Sequence, residues 1–138
     1  MISKQNMRKN NVFARGAMIF IGSVLTSILT ACVSMGSAHL LATQEELLKN
    51  YPQIKQIVIE EAANNGFGTL TSEVKPSEFN NWEGELFFQL KTANGIDQLF
   101  VTFRNRPQGV DIWVHGAGTR SNPDSAAKAI SARLAKMK

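Results

Sequence analysis

The stretch LFFQLKTANGIDQLFVTF, residues 86–103, decides the fold. Leu86, Phe88 and Leu90 alternate with Phe87 and Gln89, and Leu99, Val101 and Phe103 alternate with Phe100 and Thr102. That period of two marks two half-buried strands. Between them Asn94 and Gly95 suit a type I′ turn, which needs positive φ at both central positions and matches the twist of paired strands. With those two as the turn, Ala93 faces Ile96. Leu90 is then expected to meet Leu99, Phe88 to meet Val101 and Leu86 to meet Phe103, all on one face. On the other face Glu85 is expected to meet Arg104 as a cross-strand ion pair.

Working outward, Val110, Ile112 and Val114 continue the alternation as a third strand. A four-residue loop over 105–108 places Phe103 opposite Val110 and Phe100 opposite Trp113, with Phe87 diagonal to Phe100. Residues 69–74 alternate weakly and read as one more strand, followed by a loop over 75–82.

Helical spacing brackets the strands. Thr43 with Glu46 forms a capping box, followed by Leu47 and Leu48. Pro52 then implies either a kinked helix or a short turn leading into a second helix. Ile54, Ile57, Val58 and Ala62 lie towards one side, and Asn64, Asn65 and Gly66 end the run. A last helix starts near Asp124, with Asn122 as cap, Pro123 in its first turn, and Ala126, Ala127, Ile130 and Leu134 as its stripe. The expected class is α+β: a four-stranded antiparallel sheet with N-terminal and C-terminal helices packed on one face. Residues 43–138 make a single domain, large enough for one core of modest stability.

The N-terminus has a different grammar. Lys4, Arg8, Lys9 and Arg15 form a basic lead without an acid. Residues 17–29 are apolar except for Gly22, Ser23, Thr26 and Ser27. A membrane span needs about 20 apolar residues; this run is shorter and ends in small residues, as secretory signals do. Met7, ahead of Arg8 and Lys9, is as good a start as Met1.

Leu29, Thr30, Ala31 and Cys32 resemble the lipobox of bacterial lipoproteins. The resemblance implies removal of residues 1–31 as a signal peptide and a diacylglycerol thioether and an N-acyl chain on Cys32; the small residues that follow, Val33, Ser34, Met35, Gly36 and Ser37, read as the start of a flexible tether over 32–42. Val33 in place of Asp is similar to cargo of the outer membrane in enteric bacteria, which implies a lipid-anchored protein on its periplasmic side. An exported chain with one cysteine cannot form an internal disulfide, and acylation removes the free thiol from oxidation.

Removal of the signal also changes the charge. The full chain has 15 Lys and Arg against 11 Asp and Glu. Four of the basic residues leave with the signal, so the mature chain is neutral. The basic precursor is therefore no sign of a nucleic-acid partner.

Few residues suggest chemistry. His39 and His115 are the only histidines; His39 lies in or near the tether and His115 reads as a solvated strand end. Zinc needs three or four clustered ligands, so no metal is expected. No serine sits in a nucleophile pattern, and Glu83 and Glu85 read as solvated strand carboxylates. No catalytic residue or cofactor beyond the covalent lipid is expected. Gly116, Gly118 and Arg120, ahead of the last helix, are a candidate anion site, since amides at a helix start bind anions. The competing reading is a flexible connection.

Phe87, Phe100 and Trp113 remain, on the side away from the helices, with Arg104, Glu85, Gln89, Thr102 and Asp111 around them. An aromatic patch with a polar rim is the form of a binding hot spot, unless another segment folds over it. The expected function is a non-enzymatic, membrane-anchored envelope lipoprotein that binds a protein partner as an assembly or accessory module. The alternative is a binder of, or enzyme acting on, envelope glycan or lipid.

Overall fold

The structure is a computed structural model that describes residues 36–137. Leu29, Thr30, Ala31, Cys32 and the basic lead lie outside the described residues. The elements run β1 (Gly36–Ala42), α1 (Gln44–Asn64), β2 (Ser72–Val74), a 3-10 turn (Glu78–Asn80), β3 (Gly84–Thr92), β4 (Gly95–Arg106), β5 (Gly109–Ala117), α2 (Asn122–Leu134) and a closing 3-10 turn (Ala135–Met137). The class is α+β, with an open sheet in the order β1-β5-β4-β3-β2 and every neighbour antiparallel.

The sheet thus has five strands and not four. The additional strand is β1, in the segment expected to be a flexible tether. Its small residues read as linker, but Gly36 to Ala42 pair residue for residue with Gly116 to Val110 of β5. Only the long-range partner reveals this, because the backbone of β5 offers a ladder that short-range composition does not show. Conversely, the strand expected over 69–74 shrinks to Ser72–Val74.

The β3–β4 hairpin keeps its inward set but not its register. Thr92 pairs with Gly95, so Leu90 meets Asp97, Phe88 meets Leu99, Leu86 meets Val101 and Gly84 meets Phe103. The turn residues are Ala93 and Asn94, and the positive φ falls on Gly95 alone, at 142°. Thr92 sets this turn: its Oγ1 accepts from the Asn94 amide at 3.3 Å and donates to the Gly95 carbonyl at 3.1 Å. A hydroxyl that holds its own backbone in this way competes with the type I′ geometry. Each inward residue meets a partner two positions earlier than expected, and a shift of two preserves the face.

The same happens at the β4–β5 turn. Arg106 pairs with Gly109, leaving only Pro107 and Gln108 as the turn, and Phe103 faces Ile112 in place of Val110. Gly109 takes φ 142°, and a Cβ there would lie 2.5 Å from the Ala42 carbonyl oxygen.

Helix α1 is continuous over 21 residues with Pro52 inside it, so neither a turn nor a second helix interrupts it. The proline deprives the Leu48 carbonyl of an amide partner, and Leu48 is on the solvent side. The capping box is present, with Thr43 Oγ1 accepting from the Glu46 amide at 3.2 Å and Glu46 accepting from the Thr43 amide at 2.9 Å. At the other end Phe67 N donates to Ala62 O at 2.9 Å and Gly66 N to Ala63 O at 3.0 Å. With Gly66 at φ 84°, this is a Schellman closure. In α2, Asn122 is not the cap but a helical residue whose side chain donates to Asn65 O at 3.0 Å, tying α2 to the end of α1.

One buried cluster unites Leu47, Ile54, Val58 and Ala62 of α1, Ala126, Ala127, Ile130 and Leu134 of α2, and Leu86, Phe88, Leu99, Val101, Phe103, Val110, Ile112 and Val114 of the sheet. The short β2 is pinned to α1 through Glu73, which accepts from Tyr51 Oη at 2.9 Å and from Lys55 Nζ at 2.6 Å. Burial and the adjoining carboxylate push the Tyr51 hydroxyl well above its ordinary range, so it stays a donor.

Candidate functional site

The outer residues of the sheet meet across strands in the shifted register. Phe87 lies directly opposite Phe100, not diagonal to it. Phe100 lies opposite His115 in place of Trp113, and Trp113 stands between Thr102 and His39. The Phe87 and Phe100 ring centroids are 4.8 Å apart at an interplanar angle of 30°; those of Phe100 and His115 are 4.7 Å apart at 10°. Near-parallel rings this close cannot lie side by side. They stack, so Phe100 has a neighbour at each ring face and presents its edge outward.

The row continues to β1. Trp113 contacts His115 edge-on at 6.2 Å and His39 at 3.7 Å, and the Arg104 guanidinium lies 5.1 Å from the indole centroid. The expected Glu85–Arg104 pair gives way in this register: Glu85 opposes Thr102 and Arg104 opposes Asp111. Asp111 is also 3.4 Å from His39 Nδ1.

Phe87, Phe100, Trp113 and His115 are all partly exposed, so the face is open in the described residues. Two polar atoms are recessed in it, Trp113 Nε1 and His115 Nδ1, buried and without a hydrogen-bond partner among the described residues. Such groups are costly to leave unmet. Burial, and then the Arg104 charge, hold the His115 imidazole below its ordinary pKa, which favours the neutral ring. The face therefore presents apolar ring edges, with an indole N–H and an imidazole nitrogen buried beneath them.

The two histidines are what the sequence reading missed on this face. His115 is not a solvated strand end, because the shorter turns carry it to mid-sheet. His39 joins the face only because β1 is a strand. The alternation of His39 with Ala38 and Leu40 was the available signal, and it was too short to stand out among small residues.

Of Gly116, Gly118 and Arg120, the latter two close around an anion that the protein itself supplies, while Gly116 packs against Pro123. Asp97 is fully buried; its Oδ2 accepts from Arg120 Nη2 at 2.6 Å and Nε at 2.7 Å, and its Oδ1 accepts from the Thr119 amide at 3.1 Å. A Cβ on Gly118 would lie 2.3 Å from Asp97 Oδ1. The proposed anion subsite is thus occupied by a side chain of β4.

Among the described residues no cluster of three or more His, Cys, Asp or Glu could hold a metal, and no helix is long and apolar enough to cross a membrane. No known protein family matches the chain, and no curated protein shows significant similarity to it.

Proposed function

We propose that the protein is a membrane-anchored envelope lipoprotein that performs no catalysis and binds a protein partner through the aromatic face. In this reading Cys32 carries the lipid, the outer membrane on its periplasmic side is the location, and both helices cover one face of the sheet while the other receives the partner. The observation that carries the reading is the stacked row Phe87–Phe100–His115 with Trp113 beside it, partly exposed and bordered by Glu85, Arg104 and Asp111. Aromatic anchors inside a charged rim are the composition of interface hot spots.

The ring orientation favours protein over glycan. Sugars stack on open aromatic faces, and both faces of Phe100 are in use. Exposed ring edges suit the apolar side chains of a partner.

The test is affinity capture of the tagged, full-length protein from mild-detergent envelope extracts, wild type against the Phe100→Asp, Trp113→Asp double variant, after circular dichroism confirms that both are folded. A protein retained by wild type and lost in the variant supports the reading. Retention of glycan or lipid alone would replace it with the alternative. Incorporation of radiolabelled palmitate in wild type and its loss in Cys32→Ala tests the anchor separately.

A further inference from the structure

β1 takes Gly36–Ala42 out of the segment expected as tether. Only Val33, Ser34 and Met35 then separate the sheet from Cys32. The four peptide steps from Cys32 to Gly36 span at most about 14 Å. A lipid anchor on Cys32 is therefore held within that distance of one point on the edge strand.

Gly36 does not lie at the tip of the domain. It shares a row with Gly116, Leu99 and Phe88, and β4 begins four residues before Leu99, at Gly95. At about 3.4 Å per residue the β3–β4 turn projects about 14 Å beyond Gly36. That equals the reach of the segment ahead of β1. With the sheet upright, a bilayer that begins at Cys32 meets the turn. In the opposite direction Ala42 lies about 20 Å from Gly36, farther than the segment spans, so the other end of the sheet cannot face the lipid.

The side chains of the two ends differ in the same sense. At the turn Ile96 and Lys91 are exposed and oppose each other on the outer side of the sheet. The carboxylates near it are already matched: Asp97 is buried against Arg120, and Asp124 is held by Lys128. At the other end Glu45, Glu78 and Glu83 are exposed, and Glu85 and Asp111 stand in the aromatic face. A lysine beside an isoleucine suits an anionic headgroup layer, whereas carboxylates are repelled by it. Two such side chains do not hold a free domain on a membrane. A domain tethered at this distance needs from them only an orientation.

We propose that the end of the sheet bearing the β3–β4 turn, with Ile96 and Lys91, rests on the anionic lipid surface that carries Cys32, so that Phe100 stands about 17 Å above the turn. This rests on the lipoprotein reading of Cys32. Acylation consumes the only native thiol, so an introduced cysteine is the one site that a thiol-reactive fluorophore labels. Asn94→Cys, Glu45→Cys and Glu85→Cys report the turn, the opposite end and the aromatic face. Each protein, expressed from the full-length sequence, is reconstituted into vesicles of phosphatidylethanolamine and phosphatidylglycerol with a headgroup-nitroxide lipid. Thermal melts verify the fold, and mass spectrometry verifies the acyl chains on Cys32. The nitroxide quenches the label at position 94 at least twofold more than either other label. A Gly–Ser insertion of about ten residues between Met35 and Gly36 removes that difference. Equal quenching at the three positions, stronger quenching at 45 or 85, or a difference that survives the insertion would overturn the proposal and leave the anchor standing. A Cys32 without acyl chains would overturn the anchor and the proposal with it.

Discussion

The guanidinium of Arg120 closes on the carboxylate of Asp97, with Nη2 and Nε at 2.6 and 2.7 Å from the same oxygen. Asp97 occupies a core-facing position of β4, opposite Leu90, and is fully buried. The bond therefore spans from inside the sheet to the connection before α2, whose course it sets. Removing one partner of a buried pair strands the other charge. Arg120→Ala should destabilise the fold by about 3 kcal/mol, the low end of the range for such pairs because the arginine is partly solvated. Asp97→Asn should cost less, and urea unfolding of both reads the difference. Isothermal titration with phosphate should give no heat in wild type, since the guanidinium already has its anion.

Gly116 separates close approach from mere flexibility. A Cβ there would lie 2.3 Å from the backbone of Pro123, whereas a Cβ at Gly68 meets nothing within 4 Å. Backbone cannot swing aside as a side chain can. Gly116→Ala should therefore cost about 1–3 kcal/mol, the range for overpacking, and Gly68→Ala should leave the urea midpoint near that of wild type.

Pro52 is a local defect in α1. It lies well inside a 21-residue helix and is exposed. Pro52→Ala restores the amide that the Leu48 carbonyl lacks. Interior prolines cost about 3 kcal/mol relative to alanine, offset by about 1 kcal/mol from the stiffer unfolded chain. A gain of about 2 kcal/mol is expected on that arithmetic. Calorimetry would show the higher melting temperature.

His115 gives stability a pH dependence. Burial, followed by Arg104, lowers its pKa in the folded state below the ordinary 6.5. Between those two values the unfolded chain binds more protons, so stability rises with pH across that window and is lost as pH falls through it. The depressed carboxylates Glu60 and Glu73 act lower, beneath their ordinary 4.5. Melts at pH 7.5 and 5.5 should differ in wild type and differ less in His115→Gln.

The local chemistry of the chain was legible where neighbours in sequence decide structure. The capping box at Thr43 and Glu46, the Schellman end at Gly66, and the stripe Ala126, Ala127, Ile130 and Leu134 need only residues a few positions apart. The inward sets of β3, β4 and β5 follow from period two, and survived a register shift of two because parity alone assigns a face. By the same parity Phe87, Phe100 and Trp113 share the sheet face opposite that inward set.

What the sequence by itself determined was thus which residues face the core, where helices start and stop, and the α+β class. Local turn chemistry and tertiary structure together decided who meets whom. Thr92 and Gly95 chose a turn on Ala93 and Asn94 through one hydroxyl, and so set Phe87 against Phe100 and Phe100 against His115. β5 recruited Gly36–Ala42 as a fifth strand because an open ladder of backbone groups gains by pairing, whatever the composition of the strand that fills it. Alternation puts Asp97 on the core side of β4, but its buried carboxylate is met by the Thr119 amide and by Arg120, 23 residues away. Periodicity reports the average environment of a position; a specific partner depends on turn geometry and chain return, and these are settled only when the whole fold closes.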